Sequence, residues 1–126
     1  MANEITLFLQ ISVYNDIFAD LVGPRSWLVT QAAIGGGGPG VVMVTTSEGD
    51  VSIPNISTLG YCFLKNILGD EDSGYVTYGP TAAGVMVPFG RLLPTEGALL
   101  RLAPGISMRA VASSGTVRFL VVVYEN

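Results

Sequence analysis

Hydrophobic and polar residues alternate along several short stretches of the chain, in the pattern of strands that are buried on one face. In the clearest stretch, Glu4 to Val13, every second residue is apolar: Ile5, Leu7, Leu9, Ile11 and Val13. Gly, Pro, Asn and Ser separate these stretches, and no apolar stripe keeps helical spacing for the roughly ten residues that an ordinary helix needs. The pattern therefore predicts an all-β protein.

In the middle of the chain, the predicted strands follow one another at the spacing that is typical of sandwiches and barrels. They are Ile5–Tyr14, Ser26–Ala33, Val41–Thr46, Asp50–Ile53, Gly60–Ile67, Tyr75–Tyr78, Val85–Pro88, Ala98–Leu102, Ser107–Ala112 and Thr116–Tyr124. One short helical turn, Asn15 to Leu21, is also indicated by an Asn or Asp that could cap it. We expect a single-domain antiparallel β-sandwich over residues 1–126, jelly-roll-like from its number of strands, with an immunoglobulin-like sandwich as the alternative.

The C-terminal segment, Thr116 to Asn126, is apolar on both of its sides. Phe119 and Val121 would share one side of a strand, and Leu120 and Val122 the other. Apolar residues on both sides indicate a central strand that is covered on both faces, or one that is covered by a neighbouring subunit.

The run IGGGGPG, Ile34 to Gly40, has the glycine content of a phosphate-binding loop. Such a loop needs a following lysine, a hydroxyl residue and a helix, whereas this run is followed by Val41, Val42 and Met43. The dinucleotide fingerprint also needs a helix after its glycines. We therefore interpret the run as a flexible loop between two strands, where glycine permits unusual backbone angles or the close approach of a neighbour.

The composition indicates that much of the surface is poor in charged residues. Hydrophobic residues make up 49% of the chain and charged residues 13%, against about 25% charged in an average protein. No apolar run approaches the roughly 18 residues of a membrane span, and the N-terminal segment has an acid where a secretory signal carries basic residues. We expect no membrane segment and no export signal, and an apolar surface that another molecule covers.

The charges argue against direct binding of nucleic acid. The net charge is −4, and the basic residues are scattered singly along the chain: Arg25, Lys65, Arg91, Arg101, Arg109 and Arg118. A protein that follows a phosphate backbone needs basic residues gathered into a stripe or patch.

Few residues are suited to catalysis or to metal binding. The sequence has no histidine and one cysteine, Cys62, which lies in an apolar run and is expected to be a buried, inert thiol. Asp70, Glu71 and Asp72 stand side by side in GDEDSG, where a solvated hairpin tip is favoured over a tuned carboxylate pair or a calcium site. We expect no enzyme activity, no cofactor and no metal.

Six aromatic residues could instead form a platform for a sugar. They are Trp27, Tyr61, Phe63, Tyr75, Tyr78 and Phe89. Most of them have the spacing of strand residues, which favours the core or a subunit interface.

Two segments, Ser57 to Pro80 and Val87 to Asn126, resemble small tailed-phage proteins encoded among virion structural genes. The matching residues are Gly60, Tyr61, Phe63, Asn66, Tyr75, Val76, Val87, Pro88, Phe89, Leu93, Pro94, Arg101, Leu102, Ala103, Pro104 and Gly105. The likeness extends to Val29–Val51. It departs at Asn66–Ser73, where those proteins carry an Asn-x-Asp-x-Thr-Asn-like turn and this chain has NILGDEDS, so no role of that loop is carried over.

The resemblance implies a non-enzymatic virion structural protein, foremost a head decoration (cement) protein that bridges major capsid protein subunits on the capsid surface after synthesis in the host cytoplasm. A homo-oligomer is expected, and a trimer is favoured because shells offer local three-fold positions. A neck, tail or fibre-associated component and a carbohydrate-binding module for host attachment are the alternatives. Because loops at the ends of a sandwich are free to carry recognition, the expected contact residues are Gly35, Gly36, Gly37, Gly38, Pro39, Gly40, Asp70, Glu71 and Asp72, with the N-terminal strand.

Overall fold

A computed structural model describes residues 5–14, 19–29, 36–51, 59–68, 73–103 and 105–125. The regular structure of these residues is all β, which confirms the predicted fold class. The chain divides into two compact units, Met1–Ile34 and Gly35–Asn126. The strands are β1 (Ile5–Tyr14), β2 (Ala19–Val29), β3 (Gly36–Val44), β4 (Gly49–Val51), β5 (Leu59–Asn66), β6 (Val76–Ala82), β7 (Val85–Met86), β8 (Gly90–Leu92), β9 (Gly97–Arg101), β10 (Met108–Ala112) and β11 (Val117–Glu125).

The first unit contains an antiparallel hairpin of β1 and β2, paired from Ile5 opposite Val29 to Tyr14 opposite Ala19. A register shift lies between Leu9 and Ile11, as expected for a β-bulge. Strand β1 has the predicted bounds. The predicted helical turn is wrong at its end, because Ala19 to Leu21 belong to β2 and pair with β1; residues 15–18 lie outside the described part of the chain.

The second unit is a sandwich of two antiparallel sheets. One sheet has the strand order β3-β11-β5-β9, and the other has the order β4-β10-β6, with β7 and β8 both pairing with β6. The first strand of this unit therefore pairs with the last, and the second with the last but one. That order is the double-sheet jelly roll, so the topology predicted from the number of strands is correct.

The core lies between these two sheets and takes side chains from both. Alternate residues of the strands point into it, as the pleat of a strand requires. Its largest fully buried side chains are Phe119, Leu64, Val76, Val117, Val121, Val123, Asn66 and Cys62. The ring of Tyr78 stacks on that of Phe119, with centroids 6.3 Å apart, and so joins the two sheets across the core.

One polar side chain is fully buried at the end of β5, and all of its hydrogen-bonding groups are used. The Nδ2 of Asn66 donates to the carbonyl oxygens of Gly74, at 3.0 Å, and Leu92, at 3.2 Å. Its Oδ1 accepts from the backbone N–H of Leu68, at 3.1 Å. Since a buried polar group is costly unless it is hydrogen-bonded, this asparagine fixes three separate chain segments against one another.

The glycine run is a strand, which corrects the predicted flexible loop. Gly36 to Gly40 form the first half of β3 and pair with β11, with Gly40 opposite Val121 and Pro39 opposite Val122. Strand β3 is an edge strand, where a proline without an N–H is tolerated. Gly40 has φ of +86°, which glycine adopts without strain.

The hairpin that joins β6 and β7 turns through Ala83 and Gly84, both with positive φ. Two such residues form the type I′ turn that matches the twist of a hairpin. Strand β8 was not among the predicted strands, because three residues are too few to show alternation.

Candidate functional site

The four-stranded sheet has a second face, which is turned away from the core and is mostly apolar. It is formed by those residues of β3, β5, β9 and β11 that alternate with the core residues. Its apolar and aromatic members, here called the apolar face, are Val41, Met43, Tyr61, Phe63, Leu99, Leu120, Val122 and Tyr124. The exposed fraction reaches 59% for Met43 and 52% for Val41, and it is 39% for Leu99, 38% for Tyr124 and 36% for Phe63.

The strand register makes this face continuous. Val122 lies opposite Phe63, and Phe63 lies opposite Leu99, so three apolar side chains form a row across β11, β5 and β9. In the next row, Leu120 lies opposite Val41. A continuous apolar patch of this kind marks an interaction site more often than scattered exposed apolar residues do.

Three basic residues lie among or beside the residues of the apolar face. Lys65 lies opposite Leu120, and Arg118 lies opposite Met43. A third, Arg101, holds its guanidinium carbon 5.1 Å from the centroid of the Tyr61 ring, in a cation–π contact. The described side chains on this side of the sheet include no carboxylate, and neither Lys65 nor Arg118 forms an ion pair with a described residue.

The second sheet carries charges of both signs, and three of them, on Arg109, Glu48 and Asp50, form ion pairs. Arg109 of β10 donates from Nε to Asp50 Oδ1 and from Nη1 to Glu48 Oε1, both at 2.7 Å, and Nη1 also donates to the Gly84 carbonyl. The hydrogen bond from Arg109, with one from the Met86 N–H, lowers the pKa of Glu48. The same carboxylates raise the pKa of Arg109.

An apolar pocket of about 280 Å³ is lined by residues of β6, β9 and β10 and of the loops beside them. The residues that shape it include Tyr78, Phe89, Leu100, Leu102, Ile106 and Met108. Ligand pockets of proteins usually have roughly 300–1,000 Å³, so the volume of this one lies just below that range.

The described residues offer little for chemistry. Cys62 is fully buried, and burial raises the pKa of its thiol to about 12, so that the reactive thiolate is suppressed. In the described part of the chain, no group of three or more acidic, cysteine or histidine side chains is placed to hold a metal ion. Nor do those residues include a helix with the length and apolar character of a membrane span.

The described aromatic residues considered for a sugar platform lie in more than one place, and two of them, Tyr78 and Phe89, contact edge to face with ring centroids 6.4 Å apart. Tyr78 is in the core, and the ring of Tyr75 lies under the guanidinium of Arg91, at 4.2 Å. Phe89 is 70% exposed beside the pocket. Tyr61 and Phe63 share the apolar face, and the side chain of Trp27 lies outside the described residues.

Of the predicted contact residues, Gly36, Gly37, Gly38, Pro39 and Gly40 lie in edge strand β3, next to the apolar face, while Gly35 and the acidic residues 70–72 lie outside the described residues. Sequence reasoning did not assemble the apolar face, because its members come from four separate strands. One signal pointed to it: the C-terminal strand is apolar on both sides, and in the structure β11 is indeed central, with Phe119 in the core and Leu120 on the outer face.

Comparison with known proteins finds no match to this chain among protein-family models, curated proteins or solved structures.

Proposed function

We propose that this protein is a non-enzymatic structural component of a tailed-phage virion, and more specifically a head decoration protein that binds the outside of the capsid. The observation that carries the proposal is the apolar face, a continuous surface of the four-stranded sheet on which Met43 and Val41 are more than half exposed. An exposed apolar surface of this extent is stabilised when another macromolecule covers it.

Two further observations support the proposal. The residues in Ser57–Pro80 and Val87–Asn126 resemble small proteins encoded among the virion structural genes of tailed phages. The double-sheet jelly roll is a fold found in viral capsid domains, and also in lectins. Because a fold by itself does not define a function, the apolar face carries more weight than the topology.

The mechanism requires no chemistry. A decoration protein that covers the joint between two capsid subunits buries apolar surface of both, so the shell can expand or rupture only after those contacts are broken. Each contact is modest, but its repetition over a symmetric shell multiplies its effect. A homotrimer would match the local three-fold positions of such a shell.

The experiment that tests this function is quantitative mass spectrometry of purified phage particles, with the major capsid protein as the internal reference. A copy number comparable with that of the major capsid protein is expected for a decoration protein. A much smaller number, set by the rotational symmetry of one ring, would assign the chain to the neck or tail. Absence of the chain from the particles would contradict the proposal.

A further inference from the structure

The charges around the apolar face define what kind of surface can cover it. Lys65 and Arg118 both lie on this side of the sheet, each directly opposite an apolar residue of the neighbouring strand. Lys65 is half-buried in the sheet, whereas Arg118 is exposed. A partner that covers the apolar face therefore also removes water from these two cations.

The acids whose side chains the structure describes are engaged elsewhere. Glu48 and Asp50 bind Arg109 on the other sheet. Glu96 accepts a hydrogen bond at 2.8 Å from the backbone N–H of Leu93, within its own turn. Although the chain as a whole is acidic, with a net charge of −4, these three carboxylates do not neutralise Lys65 or Arg118.

A cation that is buried without a counter-charge is strongly unfavourable. Because none of the three described carboxylates lies opposite Lys65 or Arg118, we expect the covering surface to supply carboxylates there, and apolar side chains between them. A second copy of the same face does not meet this requirement, since it would bring further basic residues against them. Like charges across an interface disfavour such a pairing.

We propose that the apolar face, together with Lys65 and Arg118, is the surface that binds the capsid, and that it binds an apolar patch of the major capsid protein that carries carboxylates. This inference rests on the proposed function and deepens it. The apolar residues supply the area of contact, and the two cations set the partner and the orientation in which it binds. We expect an oligomer of this chain to use other surfaces.

The test is the binding of the purified chain to empty shells of the major capsid protein, measured by co-sedimentation over a range of protein concentrations. Lys65→Glu and Arg118→Glu are each expected to weaken binding by about tenfold or more, and high salt is expected to weaken binding of the unaltered chain. Lys65→Arg and Arg118→Lys keep the charge and should retain most of the binding. Leu99→Ser and Val41→Ser should weaken binding without making it less sensitive to salt.

Matched controls use exposed residues that lie on the second sheet and the loop beside it. Arg91→Glu reverses an exposed cation that stacks on Tyr75, and Val85→Ser and Phe89→Ser remove apolar side chains that are 61% and 70% exposed. All three should bind shells as the unaltered chain does. The thermal unfolding midpoint of each variant verifies that it is folded.

Together, the outcomes distinguish a failure of this inference from a failure of the proposed function. Binding that is lost in the variants of the apolar face and kept in the controls supports the inference. If the unaltered chain binds and the variants of the apolar face bind equally well, the inference is overturned while the proposed function stands. If the unaltered chain does not bind shells, the proposed function fails and the inference fails with it. If sedimentation velocity shows that the same variants dissociate an oligomer of the free chain, a second copy occupies this face and the inference is overturned.

Discussion

Phe63 of β5 and Leu99 of β9 lie directly opposite each other on the outer face of the four-stranded sheet, and both are more than one third exposed. Their neighbours along each strand, Cys62, Leu64 and Leu100, point into the core. The sheet is therefore apolar on both of its faces, although only one of them is covered by the second sheet. This arrangement is typical of a strand layer that has a partner on each side.

The buried amide of Asn66 is expected to be essential to the stability of the sandwich. Asn66→Ala removes three side-chain hydrogen bonds and leaves two carbonyls and one N–H without their partner, so we expect a loss of about 2–4 kcal/mol in the free energy of unfolding. Asn66→Asp should be at least as harmful at neutral pH, because a carboxylate cannot donate to those carbonyls. Urea unfolding measures both values, and an unchanged midpoint would contradict the role assigned to this residue.

Gly79 is expected to tolerate no side chain. A Cβ at this position of β6 would overlap the carbonyl oxygen of Val87, in a segment held against β6 by the bond from Phe89 N–H to Tyr78 O. We expect Gly79→Ala to cost about 1–3 kcal/mol of stability, as overpacking does. Gly49→Ala is the matched control: its Cβ would meet the carbonyl oxygen of Ser47 at 4.0 Å, an ordinary van der Waals contact, and its effect should stay within about 0.5 kcal/mol. Equal effects of the two substitutions would show that the close approach of the Val87 carbonyl to Gly79 does not affect stability.

The thiol of Cys62 is expected to be unreactive in the folded protein. Burial raises its pKa to about 12, so the thiolate that attacks disulfide reagents is scarce at neutral pH, and the side chain is also inaccessible. A chromogenic disulfide reagent should label the native protein slowly and the urea-unfolded protein at once. Because the folded pKa is raised, the stability linked to this thiol is complete below its unfolded pKa and falls as the pH rises towards 12. Rapid labelling of the native chain would contradict the placement of this residue.

The ion pair of Arg109 and Glu48 is expected to stabilise the folded protein less in acidic than in neutral solution. Since Arg109 and the Met86 N–H lower the folded pKa of Glu48, the stabilisation is present above the ordinary pKa of a glutamate and is lost as the pH falls through the lowered value. Arg109→Gln should reduce this dependence, measured as the change of the unfolding midpoint between neutral and acidic solution. Arg91→Gln is the control, because Arg91 stacks on Tyr75 and should leave the acid dependence as it is. An identical acid dependence in Arg109→Gln and the unaltered chain would contradict the assigned linkage.

The sequence predicted those features of the fold whose signal lies within one segment of the chain. Alternation within one segment was enough for β1, whose bounds it gave correctly, and apolar residues on both sides of the C-terminal segment were enough for the central position of β11. It failed where tertiary pairing overrides local preference. Gly36 to Gly40 have a poor strand propensity and were predicted to be a loop, but pairing with β11 makes them a strand at the edge of the sheet, where glycine and proline are tolerated.

The candidate site was beyond sequence reasoning for a similar reason. The residues of the apolar face are separated by up to 83 positions, from Val41 to Tyr124, and only the jelly-roll order places their strands side by side. Asn66 was noted as part of a motif, but its role depends on Gly74 and Leu92, which approach it through the fold. Arg109 likewise meets Glu48 across 61 residues of sequence.

The most direct test of the account compares the oxidation of Met43 by hydrogen peroxide in the free chain and in intact phage particles, followed by mass spectrometry. Met43 is 59% exposed on the apolar face, whereas Met86 and Met108 are buried and serve as internal references that should react slowly in both samples. We predict that Met43 oxidises readily in the free chain and is protected in the particle. Equal oxidation of Met43 in the two samples, or absence of the chain from the particles, would contradict the claim that this face binds the capsid.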